Sequence, residues 1–534
     1  MDYDAAMSNT QAEIWSDVRA AEASGNLSQM RIAYQDVVKK VPDLPAAWLK
    51  LGQICLMEGT YRNALAATLE AAQSMRRADR WQALPHVGRQ LLRFDERYLI
   101  RQLIEEADWD NPTLLAESAT LAQQLWLVGA DVSALALLEN AIQHLPPHHL
   151  LHFSKGEVLS HLGRLAEAEV EHELALKLDP TFSLSHRALA YLGPGRNPER
   201  RIQRMMDALQ HAQSKQRVED QIDLQYALFK ELDNANATDA AWEHLAVGAA
   251  LRRDTEHFDM AAESRSTQAM IEKDISTPVA NALDSQAGLA PTVFVVGMPR
   301  TGTTVMDRML SNHPDIASAG ELNAFSRAMS WAMDRFYEPP LTESFVDAAF
   351  NSDEKTIADR YMQATGHLRA GTPAVIDKNP VNFSNVSFIA RSMPSARMVC
   401  MVRDPMDACF SNFKEPFSAG TYGYSNSLPE VASHYVNFRK LVAHHESQHP
   451  LKFKAVAYED LVKQPQHELE AVMAFCGAEY QAGQDDLVRN QTPVSTASKS
   501  QVRAPLNQQG IGAWRKYEKQ LEPLKRELAA HGFA

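Results

Sequence analysis

A chain of 534 residues is longer than one hydrophobic core organises, so two to four domains are expected. Its 45% hydrophobic and 22% charged residues are the composition of folded protein, and the formal net charge of −14 argues against a general nucleic-acid binder, which needs a basic contact face. The four cysteines (Cys55, Cys400, Cys409, Cys476) have neither Cys-x-x-Cys spacing nor the density of a disulfide scaffold, which points to a reducing compartment and to no cysteine-ligated metal. The N-terminus lacks a basic region followed by an apolar core, and no apolar run approaches the roughly 20 residues of a membrane span. The expected location is cytoplasmic, with no membrane partner.

From about residue 10 to 255 the chain is rich in Ala, Leu, Glu, Gln and Arg at helical apolar spacing. Pro112, Pro146 and Pro180 recur every 34 residues. Gly156, Gly163, Ala168 and Ala175 lead to Pro180, and Gly129, Ala134 and Ala141 lead to Pro146 in the same register. Small residues at such places let paired helices approach, and a proline stops the second helix. Trp48 to Gly52 with Ala64 and Ala71 fits the same template, and Ala241 to Gly248 fits it more loosely. This half resembles the tetratricopeptide-repeat family, which implies an all-α solenoid over 10–255 with a concave binding surface. Two uses are open: shielding and positioning the C-terminal half, or recruiting a protein partner. Trp48, Phe153 and Trp242 are read as core residues.

Periodicity fades between 256 and 290, where Pro278, Gly288 and Pro291 mark a linker. Short apolar strands then alternate with helices over 291–534. Val293 to Val296, Ala374 to Ile376, 397–402 and Phe453 to Ala457 read as strands, with helices over about 305–311, 382–392, 406–414, 430–447 and 466–476. That alternation predicts an open parallel sheet covered by helices, with ligands at the carboxyl ends of its strands.

The first strand runs into Gly297-Met-Pro-Arg-Thr-Gly302, a glycine-bounded turn before a helix. Glycines permit close backbone approach to an anion, and the free N–H groups of a helix start favour negative charge. The spacing is that of a P-loop, yet Thr303 stands where a nucleotide triphosphatase has lysine. Instead the loop offers Arg300 and the hydroxyls of Thr301, Thr303 and Thr304, a set suited to a 5′-phosphate without a triphosphate tail. Strand 397–402 ends at Arg403, and Ser411 lies eight residues on in the next helix. A strand-end guanidinium and a hydroxyl two helical turns later can reach one phosphate.

These motifs resemble the sulfotransferases that use 3′-phosphoadenosine 5′-phosphosulfate (PAPS). Arg300, Thr301, Gly302, Thr303 and Thr304 look like their 5′-phosphosulfate loop, and Arg403 with Ser411 like their 3′-phosphate site. His313-Pro314, Gly320-Glu321, Asp377-Lys378-Asn379-Pro380 and Tyr458-Glu459-Asp460-Leu461 are closest in wording to the tyrosylprotein sulfotransferases, and the order agrees. Ser498, Gln501, Val502, Pro505 and Trp514 are similar to that family's C-terminal cofactor segment. Joined to a repeat array, the domain looks like a bacterial tetratricopeptide-repeat sulfotransferase. The resemblance implies Glu321 as the general base, Lys378 and Ser498 as groups serving the leaving oxygen, and Tyr458 as a cofactor contact. One departure is Ala513, where tyrosylprotein members carry lysine before the C-terminal tryptophan.

The expected reaction is sulfuryl transfer from PAPS to an alcohol or phenol, leaving adenosine 3′,5′-bisphosphate (PAP), without metal. The acceptor is open among a peptide, a carbohydrate and a metabolite. The alternatives are a nucleotide or small-molecule kinase on the same loop topology, and a non-catalytic repeat scaffold. His434, His444, His445 and His449 have no metal-ligand spacing and no catalytic place.

Overall fold

The computed structural model describes residues 9–195, 197–277, 288–339, 342–369, 371–417, 420–490, 492 and 504–533. Between 9 and 277 all of the regular structure described is helical. Contacts divide the chain into two units: Met1–Pro146 with Arg327–Tyr337, and Pro147–Ser326 with Glu338–Ala534.

In the first unit, helices such as Pro45–Met57 and Tyr61–Arg77 pack in sequence-adjacent pairs, with Ala64 and Ala71 fully buried between them. Arg62 anchors the short segment Arg327–Tyr337, its backbone N–H donating to Asp334 at 2.8 Å and its guanidinium to the carbonyl of Trp331 at 2.9 Å.

The second unit opens on the best copy of the 34-residue pattern, the helices His149–His161 and Leu165–Leu178. Any side chain at Gly156 would meet the buried His172 ring at 2.6 Å, so glycine sets how close these two helices come. Pro146 and Pro180 each lie two residues past a helix end. Pro112, by contrast, is the first residue of the helix Pro112–Ala116, where its fixed φ and missing N–H cost nothing.

Five strands form one parallel sheet: β1 (Thr292–Gly297), β2 (Ile316–Ser318), β3 (Ala374–Lys378), β4 (Arg397–Val402) and β5 (Phe453–Ala457), in the order β2-β3-β1-β4-β5. Strand β1 is central and buried along its whole length, which is why it reads as an unbroken apolar run rather than an alternating one. Val293 and Val295 join Met306, Met309 and Leu310 on one face. Phe294 faces the other way, its ring edge-on to Phe325 and 5.4 Å from Tyr361. With only three residues, β2 is too short to show a period in the sequence.

Two features hold the helical part of this unit against the α/β part. Met260–Ser276, a helix lying within the 256–290 stretch, carries the buried Asp274. One Asp274 oxygen accepts from His444 Nε2 at 2.9 Å, His449 Nε2 at 3.0 Å and Ser387 Oγ at 2.9 Å. Those histidines therefore serve packing. Farther along, Trp242 packs on Phe413 (5.7 Å) and Tyr517 (5.9 Å), and Phe229 and Phe410 also reach Tyr517. Asp233 completes this seam, accepting from Tyr517 Oη at 2.8 Å and Lys516 Nζ at 2.6 Å.

The four cysteines are free and buried, and burial pushes the Cys400, Cys409 and Cys476 thiols up. No helix among the described residues is long and apolar enough to cross a membrane.

Candidate active site

The loop after β1 gains its shape from three residues with positive φ: Gly297 (148°), Arg300 (67°) and Gly302 (104°). A Cβ at Gly302 would lie 2.6 Å from the Tyr458 ring, and one at Gly297 would lie 2.6 Å from the Met401 carbonyl, so both glycines answer close approach as well as dihedral angle. Asn412 Nδ2 ties the loop to the helix Pro405–Phe413 by donating to the Pro299 carbonyl at 2.8 Å. The helix Thr303–Ser311 starts directly after Gly302, and no side chain among the described residues caps it. The opening N–H groups and positive dipole end of a helix favour an anion.

A cavity of about 750 Å³ lies over the carboxyl ends of the strands, at the place where an open α/β sheet binds ligands. Arg300, Gly302, Thr303 and Thr304 line it from the loop. Glu321, Arg403, Ser411 and Tyr458 line it from the ends of other elements.

Thr301 is not on that wall: it is fully buried, and its hydroxyl donates to the Met298 carbonyl at 2.6 Å, bracing the loop from behind. Ser498 lies outside the described residues, as do Gln501 and Val502.

Arg403 emerges from β4 into a crowded place. Its guanidinium donates to the Arg300 carbonyl at 2.9 Å and to the Gly510 carbonyl, reaches Ser411 Oγ at 3.5 Å, and sits 4.8 Å from the Tyr458 ring centre. Burial lowers its pKa, while Arg403 Nε is buried with no hydrogen-bond partner among the described residues, an unmet donor on a cation beside the cavity.

The backbone of β2 and β3 brings Glu321 to Lys378. Ala319 N–H donates to the Ile376 carbonyl (2.9 Å) and Lys378 N–H to the Gly320 carbonyl (3.0 Å), so the ladder runs on past β2 to the residue before Glu321. Lys378, only 2% exposed, then donates to Glu321 Oε1 at 2.5 Å, while the Glu321 side chain remains 43% exposed. Asn379 Nδ2 donates to the Leu322 carbonyl at 2.8 Å and holds the turn.

Several residues that the motifs did not mark join this site. Asp407 accepts from Gly512 N–H (2.6 Å) and Trp514 N–H (3.2 Å), pinning the 510–514 segment to the cavity. Buried Asp307, one turn into the loop helix, has its carboxyl pushed up by burial, opposed by the Lys378 charge. Glu415 is likewise pushed up by burial, and its carboxylate lies 3.7 Å from Arg300 Nε. Lys230 and Lys414 reach the cavity as well. Lys414 stands three residues after Ser411 on one helix face, but no motif marks it. Lys230 has no sequence signal, since it belongs to a helix 67 residues before Gly297 and 173 before Arg403.

A loop-and-helix anion cradle beside a parallel strand that ends in arginine defines a P-loop-like α/β domain. Residues 291–482 match the sulfotransferase family, and residues 18–80 match the tetratricopeptide repeat. Over those residues the α/β domain is similar to the sulfotransferase family, and the helices that precede it in the chain are similar to tetratricopeptide repeats. An uncharacterized protein of Aquifex aeolicus is 24% identical over 538 residues, spanning 96% of this chain and 68% of that one. Protein-tyrosine sulfotransferase 1 of Rattus norvegicus is 32% identical over 155 residues, 27% of this chain and 40% of its own length. The solved sulfotransferase domain of the Synechococcus PCC 7002 olefin synthase is 18% identical, covering 44% of this chain and 97% of that domain, with a TM-score of 0.26. At that score the fold rests on the sheet order described above.

Proposed function

We propose that the protein transfers a sulfuryl group from PAPS to an alcohol or phenol, with Glu321 as general base. The observation that carries this reading is the convergence of a lysine-free phosphate loop, the Arg403–Ser411 pair and the Lys378–Glu321 pair at one cavity. The donor suits the residues present: the uncapped helix start and Arg300 meet a 5′-phosphosulfate, and the unmet Arg403 donor meets a second phosphate.

The donor supplies an activated sulfuryl group with a phosphate leaving group. The chain's own residues bind it, orient it and move one proton. Arg300 and the N–H groups of 302–304 hold the phosphosulfate end, and Arg403 with Ser411 holds the 3′-phosphate. Tyr458 lies under the Arg403 guanidinium and against Gly302, linking the two anion sites. Glu321 takes the acceptor's hydroxyl proton on an exposed carboxylate oxygen. Lys378, fixed by burial, sets a positive charge where negative charge gathers on the bridging oxygen, and a fixed cation there needs no reorganisation. Ser498 is assigned to the same oxygen on the motif resemblance alone.

On the acceptor side, the stacked rings of Phe417 and Tyr422 (4.5 Å) line the cavity, a flat apolar wall that accommodates a phenol. The protein-tyrosine sulfotransferases among the relatives support a phenolic acceptor. The repeat helices are the proposed surface for recruiting a protein partner.

The test is incubation with sulfur-labelled donor and a lysate of the host, followed by mass spectrometry of labelled products. Label on a hydroxyl-bearing product, formed without added magnesium, supports the reading; labelled donor that stays intact while PAP binds removes the catalytic claim.

A further inference from the structure

We propose that Lys230 and Lys414 complete the donor's 3′-phosphate site with Arg403 and Ser411, so that a helix of the all-α region supplies part of the donor site. This inference rests on the PAPS reading above and goes beyond it in naming a residue outside the α/β domain.

Three observations carry it. First, Lys230, on the helix Val218–Asn234, and Lys414, at the end of the helix Pro405–Phe413, line the same cavity as Arg403 and Ser411. Ser411 and Lys414 are three residues apart and share a helix face, so whatever meets the hydroxyl lies within reach of the ammonium group.

Second, the charge there is unbalanced. Lys230, Arg300, Arg403 and Lys414 all reach the cavity, and neither lysine has an ion-pair partner among the described residues. The nearby carboxylates are already committed: Asp233 to Lys516 and Tyr517, and Glu415, driven toward its neutral form by burial, to Arg300. Burial and the charges of Lys230 and Arg300 also depress the Lys414 pKa to about 8. Partly buried cations without counter-charge are costly, and a dianionic phosphate removes that cost. Arginine receives such a group as a planar fork and lysine as a point charge.

Third, Lys230 is held in place. Its helix is seated on the α/β domain by Phe229 against Tyr517 and by Asp233 with Lys516 and Tyr517, and the neighbouring helix Ser183–Leu192 adds Tyr191 Oη, which donates to the Lys414 carbonyl at 3.3 Å. The cation is thus positioned before the nucleotide arrives.

Calorimetric titration of the full chain with PAP and with adenosine 5′-monophosphate, which lacks the 3′-phosphate, tests this. Wild type should prefer PAP. Lys230→Ala and Lys414→Ala should each weaken PAP by about 10-fold or more, the scale of one lost charge-assisted hydrogen bond, and leave the monophosphate unchanged. Lys230→Arg should restore most of the preference, and an unaltered Tm should accompany each variant. Equal weakening of both nucleotides, or no weakening of either, overturns the inference. If wild type prefers PAP and the lysine variants keep that preference, only this inference falls. If wild type shows no preference, the PAPS reading falls with it.

Discussion

At the scale of single residues, the site separates groups that bind from groups that act. Lys378 is buried at the end of β3 and its ammonium meets Glu321 rather than the loop. Lys378→Met should therefore lower kcat by about 10²-fold or more, with PAP affinity little changed, since its charge acts where the transition state gathers charge. Calorimetry beside steady-state rates separates the two effects.

Lys414 gives a pH dependence whose sign is fixed. Its folded pKa of about 8 lies below the ordinary lysine value, because of burial and then the charges of Lys230 and Arg300, with Arg403 adding to the depression and Asp233 opposing it. The ammonium is charged below about pH 8 and neutral above it. PAP affinity should be full below pH 8 and fall as pH rises through that value, by up to about tenfold per unit until the bound-state pKa is reached. Lys414→Arg stays charged and should remove the decline; an unchanged profile in that variant would reject the assignment.

At the scale of elements, the loop and the helix-to-helix tie make separate predictions. Gly302 has φ 104° and the Tyr458 ring where a side chain would go. Gly302→Ala should cost about 1–3 kcal/mol in chemical denaturation and weaken PAP binding, because loop and ring must both shift. Asp274 is held well below the usual carboxylate range by His444, His449 and Ser387, which outweigh its burial. For a depressed carboxylate the added stability is full above its unfolded value, near 4, and is lost as pH falls from there toward the folded value. Acid unfolding of Asp274→Asn should accordingly show a shallower loss of stability below pH 4 than wild type.

These elements also mark how far the sequence could be read. Strand β1 and its loop were legible because a doubly covered strand leaves an unbroken β-branched run and because Gly297 and Gly302 punctuate it. Strand β2, three residues long, carries no period, although its ladder is what delivers Glu321 to Lys378. Ser411 was visible from a motif while Lys414, on the same face, was not, since a lone lysine after a helix reads as a solvated end. Asp407 stands in a first helical turn, where acidic residues are common, and its partners are backbone groups more than 100 residues away. No local pattern encodes that.

At the scale of the molecule, a repeat period marked the start of the chain and strand–helix alternation its end, but neither signal reported that helices after residue 147 share a contact unit with the parallel sheet. The join is made by Phe229, Trp242, Phe410, Phe413 and Tyr517, of which the sequence singled out Trp242 alone, as a core residue. Trp242→Ala should lower stability by about 3 kcal/mol, the low end for a tryptophan because this one is half-buried. It should also weaken PAP binding, since Trp242 packs against the same Tyr517 ring as Phe229, a residue of the helix carrying Lys230. A variant that loses stability but keeps full PAP affinity would place Lys230 outside the donor site.

The most direct test of the account as a whole follows the release of PAP from PAPS, with an acceptor recovered from the host, by wild type and Glu321→Gln, with PAP affinity measured on the same preparations. The predicted result is acceptor-dependent turnover by wild type, reduced by about 10²–10⁴-fold in Glu321→Gln at unchanged PAP affinity. Turnover that persists in Glu321→Gln would contradict the assignment of the base, and PAP binding without turnover in wild type would contradict sulfuryl transfer.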